Sequence, residues 1–334
     1  MPRTQQFGRW VWGNLHREGE SYWWLGPVLL GWLGLVAAAV GLLAHLVESG
    51  WQPLIVLAAF SHQLMWGVIL ALLAFVVARR WWALFFALVV FSGVASTQAG
   101  LYISAGKTEP GPRLVVLQAN LRLGTADAAS VVDLVRDHHV DVATTEELTT
   151  DEQTRLIQAG MSRELPFHYL VPQPSGGGGL GIWSRYRLSS AVNHPGYVLG
   201  VLSVTVAVPG RPFTVVAAHI KAPYPYPPRH WVHEMIKLKA LLADAGSAHR
   251  TVIVGGDFNG TPDNAQFREL LTNGYADAAQ EVGAGYLPTY PANEWYPPLL
   301  AIDHVLTANV APVAVSSVGL PGSDHRGLIA TVAL

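Results

Sequence analysis

From Leu25 to Val47 the chain carries no formal charge (LGPVLLGWLGLVAAAVGLLAHLV). At about 1.5 Å of helical rise per residue, such a run crosses the roughly 30 Å hydrocarbon core of a bilayer. Two further apolar runs follow, from about Pro53 to Val77 and from Trp81 to about Ile103, with Glu48-Ser49-Gly50 and Arg79-Arg80 between the runs. The expectation is three transmembrane helices, at about 25–47, 53–77 and 81–103, within a membrane anchor of residues 1–105. A cleaved signal peptide would have a shorter apolar region and would not be followed at once by two more. Charge is segregated accordingly: residues 1–105 hold 5 of the 21 Lys+Arg and 3 of the 23 Asp+Glu, leaving 16 basic and 20 acidic residues beyond them. The chain has no cysteine, which excludes disulfides and thiolate metal sites.

Basic residues set the expected orientation. Arg3, Arg9 and Arg17 precede the first run, Arg79 and Arg80 separate the second from the third, and the first short connection has none. The amino terminus is expected in the cytoplasm. Three crossings then place everything after about residue 105 outside it, periplasmic or extracellular, on a multi-pass protein of the cell membrane. Trp10, Trp12, Trp23, Trp24, Trp51, Trp81 and Trp82 cluster near the expected span ends, as interfacial anchors do. His62 and Gln63 fall inside the second run, where hydrogen bonding to a neighbouring helix is the ordinary explanation and a functional role the other.

Residues 106–112 are a breaker-rich linker, after which the pattern changes to short β-branched runs separated by helical segments, the alternation of an α/β domain. Strands are expected at Leu114–Gln118, Val140–Thr144, Gly181–Ser184, Leu202–Val208, Phe213–Ala218, Val252–Val254, Ile302–Leu306 and Leu328–Ala333. Helical spacing covers Ala128–His138, Asp151–Gly160, His230–Ala245 and Ala265–Thr272. The Gly176–Gly179 run opens a strand rather than a helix and lacks GK[ST], so it reads as a flexible loop and not a phosphate cradle.

Polar residues stand at the ends of these runs. Asn120 follows LVVLQA, Glu147 follows VATTE, His219 follows TVVAA, Asp257 and Asn259 follow TVIVGG, Asp303 and His304 follow LLAI, and Asp324 and His325 follow VGLPGS. Metal-assisted hydrolysis of a phosphate ester needs hard oxygen ligands for Mg²⁺ or Mn²⁺, a base for water, and donors facing the developing charge. The strand ends offer all three. An imidazole titrates near neutral pH, and a carboxylate on its other nitrogen fixes the tautomer and stabilises the cation. His230, His233 and Glu234 fit neither HExxH nor HxxEH and read as an ordinary helix face, and neither GxSxG nor a Rossmann fingerprint occurs.

With GGDFN and GSDHRG as its most specific motifs, and LQANLR, TEELT, AAHIKAP and AIDHVL in family order, residues 113–334 resemble the endonuclease/exonuclease/phosphatase superfamily, which includes pancreatic-type deoxyribonucleases and neutral sphingomyelinases. The resemblance implies a four-layer sandwich, two packed mixed β-sheets flanked by helices. It implies that Glu147, Asn120 and Asp324 serve the Mg²⁺ (or Mn²⁺) site, with Glu147 the direct ligand, and that His219 donates to a phosphate oxygen. Asp257 and Asn259 would orient the attacking water and the transferring phosphoryl, His325 would be the general base, and Asp303 would orient it. Two departures stand out: Glu146-Glu147 replaces the family's usual Gln-Glu, and His304 stands where Tyr is common.

The domain is mildly acidic, and only four lysines occur after residue 105, Lys107, Lys221, Lys237 and Lys239, with no basic run interleaved with aromatics, which disfavours a polyanion such as DNA or RNA. A membrane anchor instead raises the local concentration of a lipid-linked phosphate ester. Pro223–Pro228 (PYPYPP) and Trp295–Leu300 (WYPPLL), which flank His219 and Asp303, are an apolar rim for such a substrate or, alternatively, proline-rich turns packed on the domain. The expected function is a membrane-anchored, Mg²⁺-dependent phosphoesterase acting on a lipid or lipid-linked head group outside the cytoplasm. An extracytoplasmic nuclease is the alternative, and an inactive membrane scaffold is disfavoured by the intact Asp-His pair.

Overall fold

The computed structural model describes residues 22–106, 111–208 and 210–334. Arg3, Arg9, Arg17, Trp10, Trp12 and linker residues 107–110 lie outside the described residues. The chain divides into two compact units, one of residues 1–42 and 63–94, the other of residues 43–62 and 95–334.

Two described helices are long and apolar enough to cross a membrane, α1 (Leu25–Leu46) and α5 (Trp81–Tyr102). The expected second span is not one continuous helix: it is broken into α2 (Gln52–Ala59), α3 (Ser61–Met65) and α4 (Gly67–Val77), with a 60° bend at the break after Ala59. The expectation of three continuous spans is therefore corrected to two. The physical reason lies in what the apolar residues touch. Ile55 and Ala58 of α2 are 3% and 4% exposed, and Ile55 belongs to a protein core with Trp231, Phe258 and Phe267. Hydropathy does not distinguish a lipid-facing residue from one packed on protein. Beyond the break, His62 Nδ1–H donates to Gln98 Oε1 of α5 at 2.9 Å, which is the ordinary helix-to-helix role.

Within the first unit, α1 and α4 meet through glycine. A Cβ on either Gly34 or Gly67 would stand 2.5 Å from the carbonyl oxygen of the other, so only glycine lets the backbones approach. Leu35, Ala71, Phe75, Ala83 and Ala87 form the small core there, while Leu33, Leu73, Phe85 and Val89 are exposed.

The second unit is a layered sandwich. Its elements are β1 (Arg113–Asn120), α6 (Ala128–Asp137), β2 (Val142–Glu146), α7 (Thr150–Ala159), α8 (Met161–Glu164), β3 (Phe167–Val171), β4 (Leu180–Ser184), β5 (Leu188–Asn193), β6 (Gly200–Val206), β7 (Phe213–His219), α9 (Pro228–Ala245), β8 (Val252–Asp257), α10 (Ala265–Arg268), β9 (Tyr275–Asp277), α11 (Ala278–Val282), β10 (Asp303–Ala308), β11 (Ala311–Val318) and β12 (Gly327–Ala333). Two six-stranded sheets run β11-β12-β1-β2-β4-β3 and β5-β6-β7-β8-β10-β9, both mixed, with β1·β2 and β7·β8 the parallel pairs. Helices α6 to α8 cover the outer face of the first sheet, and α9 covers the second. Strands β3, β5, β9 and β11 were not among the expected ones. The expected helix Ala265–Thr272 ends at Arg268.

The two-residue period of each strand positions the site. Inward-facing residues run Leu114, Val116, Gln118, Asn120 on β1; Val142, Thr144, Glu146 on β2; Phe213, Val215, Ala217, His219 on β7; and Ile253, Gly255, Asp257 on β8. Each begins in the shared apolar core and ends in a polar side chain. Gly255 is required because a Cβ there would lie 2.3 Å from Thr144 Oγ1 of the opposite sheet. The core between the sheets therefore becomes polar at one end, where Asp257 pairs in register with His219 and with Asp303 on its neighbouring strands.

Candidate active site

At that end, His325 Nδ1–H donates to Asp303 Oδ2 at 2.8 Å, and His325 Nε2 lies 3.8 Å from Asp257 Oδ2. All three residues are buried, and their ligand atoms lie within 4.8 Å of one another, the one metal-compatible group among the described residues. Asp303 Oδ1 accepts from Gln118 Nε2 at 2.8 Å. Ser323 fixes the loop bearing His325 by donating to Asn120 O and accepting from His325 N.

Asn120 Nδ2 donates to Asp257 Oδ2 at 3.0 Å, and its Oδ1 accepts from Arg122 N. His219 Nε2 lies 3.5 Å from Asp257 Oδ2 and 3.9 Å from Glu147 Oε1, and its Nδ1–H donates to Gly177 O at 3.0 Å. Asn259 N donates to Asp257 Oδ1, and its side chain donates to Ile220 O. Glu147 and Asn259 have positive φ (57° and 48°), an uncommon conformation for residues other than glycine, which turns each out of its strand. Glu147 thereby reaches the site mouth, accepting from Leu123 N at 2.6 Å, whereas Glu146 stays between the sheets bonded to Gln118. Asp324 stands at the edge, 3.8 Å from Arg122. The structure thus brings Asn120, Glu147, His219, Asp257, Asn259, Asp303 and His325 around one centre, with Asp324 at its rim.

Carboxylates in close quarters shape the electrostatics. Burial, and then the neighbouring Asp303, push Asp257 up to about 8 and Glu146 well above the usual carboxylate range. Burial disfavours the His325 cation, yet Asp303 outweighs it and pushes His325 up to about 10. His325 in turn holds Asp303 below the ordinary value against burial. Burial lowers His219 to about 4, so it is neutral with its proton on Nδ1, and it raises Glu147.

Sequence reasoning passed over three contributors. Gln118 is the amide shared by Glu146 and Asp303, visible only once strand alternation puts it on the face of Asn120. Thr289 Oγ1 accepts from Asp303 N at 3.3 Å. The glycine run, read as a flexible loop, forms a wall of the site: a Cβ on Gly177 would touch Glu147 Oε1 at 3.3 Å and His219 Cε1 at 3.5 Å, and one on Gly179 would collide with Leu148 O. Beside it lies a cavity of about 270 Å³ lined by Gln173, Gly178, Asn193, His194 and Tyr197. Of the His233-Glu234 pair, Glu234 is structural, accepting from Val198 N and Lys221 N.

Two polar-lined sheets with a His–Asp pair and further carboxylates at one end of their shared core define a phosphoesterase-like sandwich. Residues 117–325 match the Endonuclease/Exonuclease/phosphatase family, and the chain belongs to that family, whose members hydrolyse phosphate esters. No curated protein matches the chain. Solved structures of similar fold include D. rerio TDP2 complexed with a single-strand DNA product (18% identity, 66% of this chain and 99% of that one, TM-score 0.55). The human nocturnin catalytic domain with bound sulfate (16%, 68% and 96%, 0.51) and a Bacteroides thetaiotaomicron mannosyl-6-phosphatase (13%, 66% and 100%, 0.50) are also similar. At these identities the likeness is one of fold.

Proposed function

We propose that the protein is a membrane-anchored, divalent-metal-dependent phosphoesterase acting outside the cytoplasm on a lipid or lipid-linked head group. The observation that carries the chemistry is the His325–Asp303 pair, whose free Nε2 faces the Asp257 carboxylate. Nε2 takes a proton from water as its oxygen attacks phosphorus and the P–O bond to the alcohol breaks, the alkoxide leaving with that electron pair and taking a proton from solvent, while Asp303 holds Nδ1–H and stabilises the cation that forms. Asp257 and Asn259 orient water and phosphoryl group. His219 presents Nε2 to a phosphate oxygen, whose negative charge favours the second proton that lets it donate.

The donor set suits a hard cation. Glu147, Asn120 and Asp257 offer oxygen atoms, with Asp324 at the edge, and a divalent charge among them would offset the cost of burying the Glu147 and Asp257 carboxylates, which raises both. Mg²⁺ or Mn²⁺ held there would supply positive charge that offsets the negative charge of the phosphate ester.

Two features support the membrane setting. His45, in the last turn of α1, and Gln98, near the end of α5, both donate to Asp263 Oδ1, at 2.7 and 2.9 Å. At their starts, the Arg80 guanidinium lies over the Trp24 ring at 4.6 Å and Trp32 meets Trp82. Within each unit these contacts hold the two long helices side by side, and the basic pair Arg79-Arg80 between the apolar runs supports the extracytoplasmic reading of the catalytic unit. Trp295 (92% exposed), Tyr224 and Tyr226 present exposed aromatic rings in the segments that lead into Asp303 and follow His219, as contact with a lipid surface requires. The test is head-group or phosphate release by the purified full-length protein with Mg²⁺, from phosphatidylglycerol, phosphatidylcholine, sphingomyelin and polyprenyl-phosphate vesicles and from DNA in parallel. Turnover of DNA alone would overturn the lipid assignment in favour of a nuclease.

A further inference from the structure

Within the catalytic unit, α2 is built as a strap. Its apolar side packs on the core beneath α9, Asn264 Nδ2 donates to Ile55 O at 3.0 Å, and Gln266 Nε2 donates to Ser49 O at 2.8 Å just before it. At its start, Gln52 Nε2 donates to two carbonyl oxygens, Pro223 O at 2.7 Å and Tyr226 O at 2.8 Å. Both hydrogens of one amide are thus committed to the Pro223–Pro228 loop. That loop holds four prolines and has few N–H groups with which to brace itself.

The same loop continues directly from the catalytic strand. Beyond His219, Ile220 N donates to Asp257 O at 3.0 Å, and Ile220 O accepts from the Asn259 side chain. Lys221 Nζ stacks over the Tyr226 ring at 3.4 Å. Three residues after Ile220 the loop reaches Pro223, where Gln52 holds it. Trp51, next to Gln52, is 64% exposed, as is Tyr224 at 66%. Amphipathic rings of this kind settle where hydrocarbon meets water.

We propose that Gln52 is a positioning residue that holds the aromatic rim in place, so that a phosphate ester carried by a bilayer lipid is presented to His219 and Asp257. The proposal rests on the lipid-linked reading of the site and adds the element that sets its preference. Gln52 touches neither substrate nor metal. It acts through the loop, so its loss weakens capture of membrane-borne substrate and leaves the chemical step alone.

The experiment uses the full-length protein in nanodiscs, with Gln52→Glu, which loses both donors and sets a carboxylate against two carbonyls, and Gln52→Lys, which keeps donors. The first readout is amide hydrogen exchange at Tyr224 and Tyr226, expected about fivefold or more faster in the Glu variant and near wild type in the Lys variant. Unchanged exchange in the Glu variant overturns the strap, whatever the substrate. The second readout is turnover of the vesicle panel against a soluble ester, bis(p-nitrophenyl) phosphate. The Glu variant is expected to raise KM about fivefold for the vesicle substrate with kcat and soluble turnover unchanged, and the Lys variant to restore it. Equal losses on both substrates mean a merely structural role and overturn the proposal. A wild-type protein that turns over only the soluble ester overturns the lipid reading and the rim's purpose together, and the exchange result then says separately whether Gln52 holds the loop.

Discussion

Consecutive residues on β10 enter two buried His–Asp pairs on opposite faces of the same sheet. Asp303 points between the sheets and accepts from His325 Nδ1–H at 2.8 Å. His304 points outward and donates from Nδ1 to Asp277 Oδ2 at 2.7 Å. What differs is the second ring nitrogen. His304 Nε2 is capped by the carbonyl oxygens of Gly260 and Ala301, at 3.0 and 3.1 Å, so both nitrogens face acceptors and the ring is held as a cation among Phe258 and Phe267. His325 Nε2 faces the site across 3.8 Å to Asp257. A His–Asp pair becomes a proton-transfer device only when one nitrogen is left for a substrate. Sealed at both ends, the same pair is a brace, here tying the turn after Asn259 to β9 and β10.

That contrast is open to breaking, and the largest effect belongs to the open pair. His325→Ala and Asp257→Ala are each expected to lower turnover by about 10³-fold or more, with a melting temperature near that of wild type, measured as head-group release and by calorimetry. Loss of turnover with loss of folding would mean that the open pair is a brace as well. For the sealed pair the expectation is reversed. Asp277→Ala leaves the His304 cation buried without its partner and is expected to cost about 3–5 kcal/mol of stability, with activity per folded molecule retained. Burial lowers the His304 pKa, but Asp277 outweighs it and the net shift is upward. The sign follows: its stabilisation is fully present below the unfolded value of about 6.5 and is lost as pH rises through the folded one. The melting-temperature gap between wild type and Asp277→Ala should therefore be widest at mildly acidic pH and narrow in alkali.

Asp303→Asn tests the open pair more finely. Asp303 is the main group holding His325 up at about 10, so neutralising it lowers that value, and the base form of His325 prevails at lower pH. The rising limb of the pH–rate profile should move to lower pH while the plateau falls by about 10²-fold or more, because the carboxylate no longer fixes the tautomer. A fall in the plateau with no movement of the limb would show that His325 is not the group whose titration the profile reports.

The site was more legible in the sequence than the membrane region. Period-two alternation ending in Asn120, His219 and Asp257 is a local signal, and the structure keeps it because each of those residues terminates a strand it also belongs to. Gln118 and Gly177 were not legible, since their roles depend on which residues the opposite sheet and a distant loop bring to them. The stretch from Pro53 to Val77 misled for a different reason: an apolar residue is equally satisfied by lipid or by protein, and Ile55 found Trp231 and Phe267 instead of lipid. Edge strand β5 was missed because its residues are largely exposed, with little apolar alternation to mark it.

The smallest effect concerns where the open pair's substrate comes from. Trp295 is almost wholly exposed and meets Tyr296 edge to face at 5.4 Å, in the segment that leads into Asp303. A large exposed ring on a soluble ester hydrolase gains nothing, whereas one bordering a bilayer gains by inserting at the interface. Trp295→Ser with Tyr296→Ser is therefore expected to reduce turnover of vesicle-borne substrate by about fivefold through KM and to leave bis(p-nitrophenyl) phosphate hydrolysis unchanged. Equal turnover of both substrates by the double variant and wild type would remove the rim from the account while leaving the His325–Asp303 chemistry intact, because Asp303 is anchored by Gln118 and Thr289 and by neither aromatic ring.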